Sequence, residues 1–235
     1  MAKKKKKRLN IKRTLAFLLF IYIFCYGVYY LVNQPIKHIE IKGNNLVLDS
    51  EILKVSKLKD YPSIFKYSSR TLEKRIKTIK LVDNVDVKKW FGHIVKIEIE
   101  ENKLLFYYED KIALSSGNFI KNDLENVYGI PTFIGNINKD ILNKFVKSFS
   151  ELNDNIVYEM NEIEYYPSVN ENGKVIDDDR FKITMNDGNT IVANTKSVSV
   201  LNKYNDIYAS LDGKLGTINL DTNEVKNLIF IPYGE

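Results

Sequence analysis

The chain of 235 residues has very few of the side chains on which disulfide bridges and metal sites depend. It contains one cysteine, Cys25, and two histidines, His38 and His93. An intramolecular disulfide is therefore excluded, so any part of the chain that folds outside the cytoplasm must be held together by packing. Neither a His-Glu-x-x-His pair nor a cysteine and histidine cluster is present, and the sequence predicts no metal site and no cofactor.

Sequence motifs of covalent and acid–base catalysis are also missing. The chain has no Gly-x-Ser-x-Gly, Ser-x-x-Lys or phosphate-binding glycine loop, and the run from Ser115 to Gly117 is most simply a turn. Glu98 and Glu100 alternate with apolar residues, as the solvated face of a strand does. We predict no catalytic residue and no enzymatic activity. The less favoured alternative is a cell-wall enzyme with an unfamiliar active site.

One long apolar run is present, residues 15–32, and it contains no charged side chain. At about 1.5 Å per residue it covers roughly 27 Å, close to the hydrocarbon thickness of a bilayer. The run predicts one membrane-spanning helix over residues 14–33. Tyr29 and Tyr30 stand where a signal peptidase requires small residues, so we expect the helix to be retained as an anchor.

Positive charge is concentrated ahead of this helix, in the basic tail of residues 1–13. The tail holds eight Lys and Arg and no acidic residue, which predicts a cytoplasmic N-terminus and a single-pass type II topology. The rest of the chain has 27 of the 35 basic residues against 30 acidic ones. Anionic lipid is the expected partner of the tail. Nucleic acid is the less favoured one, because no aromatic residue is interleaved there.

Residues 34–102 carry the pattern of a small α/β domain. A strand over residues 36–42 ends at a Gly43-Asn44 turn, and Asp49 and then Ser68 or Ser69 are candidate caps of two helices. Residues 82–101 alternate apolar and polar side chains on both sides of a short turn, as a hairpin with one buried face does. The order strand, helix, helix, strand, strand predicts helices on one face of a small sheet.

Residues 103–235 favour strands. Asn138 is the predicted cap of a helix over residues 139–152, and Asp187-Gly188 is the predicted turn of a hairpin. Asn194 or Thr195 is the predicted cap of one amphipathic helix that runs to Leu211, and its apolar stripe consists of Val198, Leu201, Tyr204, Tyr208 and Leu211. Two final strands follow, and we expect them at a sheet edge. The polar segment 168–180 lacks the ligand spacing of an EF-hand, so a solvated loop is preferred to a calcium loop.

These features resemble the FtsQ/DivIB family of bacterial cell-division proteins. The run VDNVDVKKWFGHIVKIEIEENKLLFYYED resembles the family's POTRA hairpin, with Trp90-Phe91-Gly92 in place of the usual Trp-Pro turn. The hairpin, the helix and the GTINL strand resemble its β-domain, with Asn219 in place of the usual aspartate. The resemblance implies an α+β fold: one N-terminal transmembrane helix, a POTRA-like βααββ module at residues 34–102 and a β-rich domain with flanking helices at residues 103–235.

The resemblance also implies the function. A non-catalytic bitopic scaffold of the divisome, located at the division septum, would recruit and bridge septal membrane proteins through its extracytoplasmic domains. The implied partners are single-pass coiled-coil proteins of the FtsB/DivIC-like and FtsL-like kinds, with septal peptidoglycan synthases as a further class. A membrane-anchored POTRA adaptor of a secretion or envelope-assembly system is the alternative left open.

Carried onto this chain, the family's partner-binding region covers part of the late helix and the strand that follows. The implied partner-binding residues are Lys203, Tyr204, Thr217, Asn219, Asp221 and Thr222. The spacing of Tyr204 alone favours a place in the core, and strand alternation directs Ile218 and Leu220 inward.

Overall fold

The computed structural model describes residues 10–90, 92–124, 127–220 and 228–234. The chain divides into two compact units, Met1–Glu100 and Glu101–Glu235. The first holds an apolar helix and a small three-stranded sheet, and the second is built on a nine-stranded sheet with flanking helices. The predicted fold class is confirmed.

The first unit begins with α1 (Ile11–Val32), whose 22 residues cover about 33 Å at 1.5 Å per residue. None of its side chains is buried against the rest of the chain, although the helix is strongly apolar. The side-chain amide of Asn33 donates to the carbonyl of Tyr29 at 2.9 Å and satisfies one of the last helical carbonyls. Among the described residues it is the one helix long and apolar enough to cross a membrane.

The small sheet of the first unit has the strand order β1-β3-β2, with β1 parallel to β3. The predicted order of strand, helix, helix, strand and strand is confirmed. The elements are β1 (His38–Lys42), α2 (Asp49–Ser56), α3 (Ser69–Ile76), β2 (Val82–Trp90) and β3 (Ile94–Glu101).

The two helices begin at different kinds of cap. Ser68 caps α3, because its side chain accepts a hydrogen bond from the backbone N–H of Thr71 at 3.1 Å. The prediction of Asp49 as the cap of α2 is wrong. Leu48 takes that position and Asp49 is the first helical residue, where its carboxylate faces the positive end of the helix and accepts from the amide of Asn44 at 2.7 Å.

Apolar side chains of the two helices and the two hairpin strands form the core of the first unit. Those that are buried are Ile52, Leu72, Ile76, Val82, Val85, Val87, Val95, Ile97 and Ile99.

The sheet of the second unit has the order β14-β13-β12-β11-β8-β7-β4-β5-β6. Its pairs are antiparallel except β4 with β7, β7 with β8 and β12 with β13. The strands are β4 (Leu104–Tyr108), β5 (Lys111–Leu114), β6 (Phe119–Lys121), β7 (Thr132–Ile134), β8 (Met160–Tyr165), β11 (Phe181–Met185), β12 (Thr190–Ala193), β13 (Gly216–Asn219) and β14 (Ile229–Pro232).

A helix covers one face of this sheet through aromatic packing. Asn138 caps α4 (Lys139–Phe149) as predicted, accepting from the N–H of Asp140 at 2.8 Å. Phe145 of α4 lies 4.0 Å from Phe181 of β11, measured between ring centroids. The short helix α5 (Asp154–Tyr158) was not predicted from the sequence.

The single helix predicted over residues 195–211 is wrong. The structure has a 3-10 helix, Val198–Lys203, followed by the short α6 (Tyr204–Ala209). Side chains three residues apart share a face of a 3-10 helix, so the buried residues run from Val198 through Leu201 to Tyr204. Tyr208, predicted to face inward, is exposed.

The polar segment 168–180, predicted as a solvated loop, contains a small antiparallel ribbon. Its strands are β9 (Ser168–Val169) and β10 (Val175–Asp177). The side-chain oxygen of Asn170 accepts from the N–H groups of Asn172 and Lys174, which closes the turn between them. No group of three or more His, Cys, Asp or Glu is placed to hold a metal ion in the part of the chain that the structure describes.

Candidate functional site: the outer edge of the large sheet

β14 is the outermost strand on one side of the nine-stranded sheet, and β13 lies between it and β12. β13 and β14 are antiparallel, with Thr217 opposite Ile231 and Asn219 opposite Ile229. The two final strands were predicted at an edge, and the structure assigns the outer position to β14. The sequence-predicted residues Thr217 and Asn219 therefore lie one strand inside the edge.

The backbone of β14 offers hydrogen-bonding groups to a further strand. The N–H of Tyr233 donates to the carbonyl of Leu215 at 2.9 Å, so alternate residues of β14 pair with β13. The N–H and carbonyl of Phe230 and the carbonyl of Pro232 consequently point away from β13. Proline has no N–H, and it occupies one of the outward positions where a strand tolerates that loss.

The side chains of this edge divide into a buried and an exposed set. Ile218 and Leu220 are buried, as alternation predicts. Ile229 and Ile231 are 49% and 57% exposed although both are large and apolar. The strand register places them beside Asn219 and Thr217 on the other face. Sequence reasoning missed these isoleucines, although the alternation of IFIPY already indicated one exposed apolar row.

A buried polar network fixes the start of β13. The hydroxyl of Tyr204 donates to the carboxylate of Asp187 at 2.6 Å and accepts from the amide of Asn189 at 3.2 Å. The amide oxygen of Asn189 in turn accepts from the N–H of Gly216 at 3.0 Å. Burial of the Tyr204 ring, followed by the hydrogen bond to Asp187, raises the pKa of its hydroxyl.

The network corrects one of the predicted partner-binding residues. Tyr204 is 2% exposed, so the prediction that it contacts a partner is wrong: its ring fills the core and its hydroxyl holds the Asp187 turn. Lys203 is exposed and precedes it directly in the chain. Asp221 and Thr222 lie outside the described residues.

Removing the Tyr204 hydroxyl should destabilise the second unit. Tyr204→Phe deletes the donor to Asp187 and one acceptor of Asn189, and a lost hydrogen bond to a charged group costs about 1.5–3 kcal/mol. We expect the thermal midpoint of this unit to fall by about 5–11 °C, measured by calorimetry. Tyr208→Phe, on the exposed side of the same helix, is the matched control. Equal midpoints for both variants would contradict the role given to the network.

Comparison with known proteins finds a matching domain model and several similar proteins. Residues 34–102 match the model of the POTRA domain, FtsQ-type. The chain is 25% identical over 228 residues to cell division protein DivIB of Bacillus subtilis, with 93% of this chain and 84% of that one covered. The chain is thus similar to the DivIB cell division proteins. The region that matches the POTRA domain is the βααββ module of the first unit.

Other similar proteins extend the comparison. DivIB of Staphylococcus pseudintermedius is 25% identical over 217 residues, covering 85% of this chain and 69% of that protein. DivIB of Brevibacillus brevis is 22% identical over 246 residues, covering 99% and 89%. The major extracytoplasmic domain of DivIB from Geobacillus stearothermophilus aligns in structure with a TM-score of 0.37 and 23% identity, covering 48% of this chain and 96% of that one. Similarity to DivIB proteins over most of the chain supports a role in cell division, and α1 is consistent with membrane anchoring.

Proposed function

We propose that the chain is a non-catalytic, bitopic scaffold of the division machinery that recruits and bridges septal membrane proteins. α1 spans the cytoplasmic membrane with the basic tail inside, and both folded units lie outside and act at the septum. The partners are small single-pass coiled-coil proteins of the FtsB/DivIC-like and FtsL-like kinds. Septal peptidoglycan synthases are a further class of partner.

The single observation that carries the proposal is the character of β14. An edge strand with outward backbone groups can add a strand from another protein, because main-chain hydrogen bonds then extend the sheet. Natural edges that must stay single are protected by charges, bulges, proline or short length. β14 is short and has Pro232 at one outward position, but it also presents two exposed isoleucines beside Thr217 and Asn219. In this arrangement the backbone of β14 supplies affinity and its isoleucines supply specificity.

The test uses the full-length chain in detergent micelles and a purified coiled-coil protein of the FtsB/DivIC-like kind from the same organism. The double substitution Ile229→Lys and Ile231→Lys places two charges on the exposed row and leaves the inward Phe230 unchanged. Loss of a central apolar contact of an interface costs about 2 kcal/mol or more, so we expect an affinity at least about 30-fold weaker by titration calorimetry.

A matched control adds the same two charges elsewhere in the second unit. Val175→Lys and Ile176→Lys alter exposed residues of β10 and should leave the affinity unchanged. Equal affinities for the edge variant and the unaltered chain would show that the partner does not bind at β14. Release of soluble fragments from purified cell wall by the unaltered chain would contradict the non-enzymatic part of the proposal.

A further inference from the structure

One end of the POTRA domain makes hydrogen bonds to the last residue of α1 and to the segment that follows it. The hydroxyl of Ser63 donates to the carbonyl of Val32, the last residue of that helix. The backbone N–H of Ile36 donates to the carbonyl of Pro62 at 3.0 Å. The loop around residues 62–63 and the end of α1 are thus in contact within the first unit.

The hairpin turn of the POTRA domain lies at the same end. The N–H of Lys37 donates to the carbonyl of His93 at 2.8 Å, five residues after the helix ends. Five extended residues span at most about 18 Å, and the headgroup layer on each side of a bilayer is roughly 5–8 Å deep. An anchor that ends at Val32 therefore holds Ser63 at the level of the lipid headgroups and keeps the hairpin turn within about 18 Å of the end of the helix.

The loop is fixed to the hairpin by a partly buried lysine. The ammonium of Lys89 donates to the carbonyl of Ile64 at 2.5 Å and to the carbonyl of Tyr67. Burial lowers the pKa of Lys89. The guanidinium of Arg75 lies 4.1 Å from the centre of the Tyr67 ring and holds the far side of the loop.

This end of the domain exposes aromatic side chains. Phe65 is 65% exposed, Trp90 is 54% exposed and Tyr61 is 44% exposed. Phe65 and Trp90 line one open pocket together with Ile64 and Lys89. Exposed aromatic residues close to the end of a membrane helix are typical of the membrane interface, where amphipathic rings lie among headgroups.

Basic side chains surround the same loop. A second pocket beside it is lined by Lys54, Lys57, Lys59 and Lys66 with a single acid, Asp60. The chain after the helix is acidic as a whole, so this concentration of lysines is local. Lysines near an anionic membrane surface are attracted to it, and each contributes to binding.

We propose that the POTRA domain lies on the membrane through this end and binds anionic phospholipid. The contact surface, which we call the juxtamembrane face, consists of Lys59, Tyr61, Phe65, Lys66 and Trp90. Its aromatic rings enter the headgroup layer and its lysines contact lipid phosphates. The inference rests on the proposed anchoring by α1 and adds to it a second contact, which fixes the height of the POTRA domain above the bilayer.

Trp90 reports on this contact directly, because it is the only tryptophan in the chain. The full-length chain is reconstituted into phosphatidylcholine vesicles with or without about 30 mol% phosphatidylglycerol. Acrylamide measures exposure of the indole to water, and a lipid with a headgroup nitroxide measures its contact with the interface. We expect anionic vesicles to lower the acrylamide quenching constant by about twofold or more and to raise nitroxide quenching.

A charge-reversed variant separates lipid contact from mere proximity to the anchor. Lys59→Glu with Lys66→Glu should return both kinds of quenching to the values in phosphatidylcholine alone. Lys144→Glu with Lys196→Glu, exposed lysines of the second unit, is the matched control and should behave as the unaltered chain does.

Three outcomes would overturn the proposal. The first is nitroxide quenching that is the same with and without phosphatidylglycerol. The second is an equal effect of the two charge-reversed variants. The third is protection from acrylamide without nitroxide quenching, which would mean that protein rather than lipid covers Trp90. Failure of the anchoring itself is a different result, because the chain would then not float with the vesicles. The partner site is tested separately by its affinity.

Discussion

Gly216→Ala should displace β14 from the sheet and abolish partner binding while the POTRA domain stays folded. A Cβ at position 216 would lie 2.3 Å from the carbonyl oxygen of Ile231 and 2.7 Å from the ring of Phe230. Real Cβ atoms do not approach a backbone oxygen so closely, so one of the two strands must move.

β13 is the strand that cannot move easily. The N–H of Gly216 is held by Asn189 at 3.0 Å, and β13 is also paired with β12 on its other side. β14 has a strand on one side alone, so the added methyl group should force β14 outward. Overpacking of this kind costs about 1–3 kcal/mol, and loss of the inward contacts of Phe230 adds to that cost.

Hydrogen exchange gives the first readout of this variant. Amides of residues 229, 231 and 233 should lose protection, because they pair with β13, whereas amides of the POTRA strands keep theirs. Affinity for the coiled-coil partner should fall at least about tenfold. Thr184→Ala, on β11 and away from the candidate site, removes atoms from the same sheet and serves as the control. Full affinity in Gly216→Ala with β14 unprotected would show that the partner binds elsewhere.

The elements predicted best are those specified by neighbouring residues. Alternation in β2 and β3 predicted which side chains are buried, because the side-chain period of a strand is two whatever the strand pairs with. Ser68 and Asn138 predicted the starts of α3 and α4 through their own side-chain oxygens. Asp187-Gly188 likewise predicted the tight hairpin between β11 and β12.

The misassigned elements depend on contacts that are distant in sequence. The spacing of Val198, Leu201 and Tyr204 fits three residues per turn as well as it fits a longer α-helix, and packing against the sheet selects the 3-10 form. The ribbon of β9 and β10 depends on Asn170 closing a turn within a run of polar residues, where hydrophobic alternation gives no signal.

The candidate site was predicted only in part. The final strands were recognised from their apolar residues, but strand order is a property of the whole sheet. β13 pairs in parallel with β12 after the intervening helices, and this crossover gives β14 the outer position. Thr217 and Asn219, which family resemblance selected, therefore lie on the inner of the two strands, and the exposed isoleucines lie on the outer one.

Gly43→Ala should unfold the POTRA domain. Gly43 has a φ of +83°, and a Cβ there would lie 2.0 Å from the carbonyl oxygen of Ile99. The left-handed conformation alone costs a non-glycine residue about 1–2 kcal/mol. The contact with a strand backbone adds about 1–3 kcal/mol, because β1 or β3 must shift at its buried end.

A second glycine separates the cost of backbone strain from the cost of the steric collision. Gly92 has a φ of +87°, and a Cβ there would meet only the tip of Ile94 at 4.0 Å. Gly92→Ala therefore has the same backbone strain without the contact. The difference between the two variants gives the cost of the collision with Ile99. Equal thermal midpoints for Gly43→Ala and Gly92→Ala would mean that the turn at Gly43 accommodates the added methyl group without a shift of β1 or β3.

Trp90 makes the measurement specific to the first unit, since the second unit contains no tryptophan. For a domain of this size a loss of 3 kcal/mol lowers the thermal midpoint by roughly 12–24 °C, enough to unfold a marginally stable domain at growth temperature. Hydrogen exchange follows β11 and β12 in the same sample. If protection there persists after the Trp90 transition, the partner-binding unit folds without the POTRA domain. Division defects caused by Gly43→Ala would then report on the POTRA domain itself.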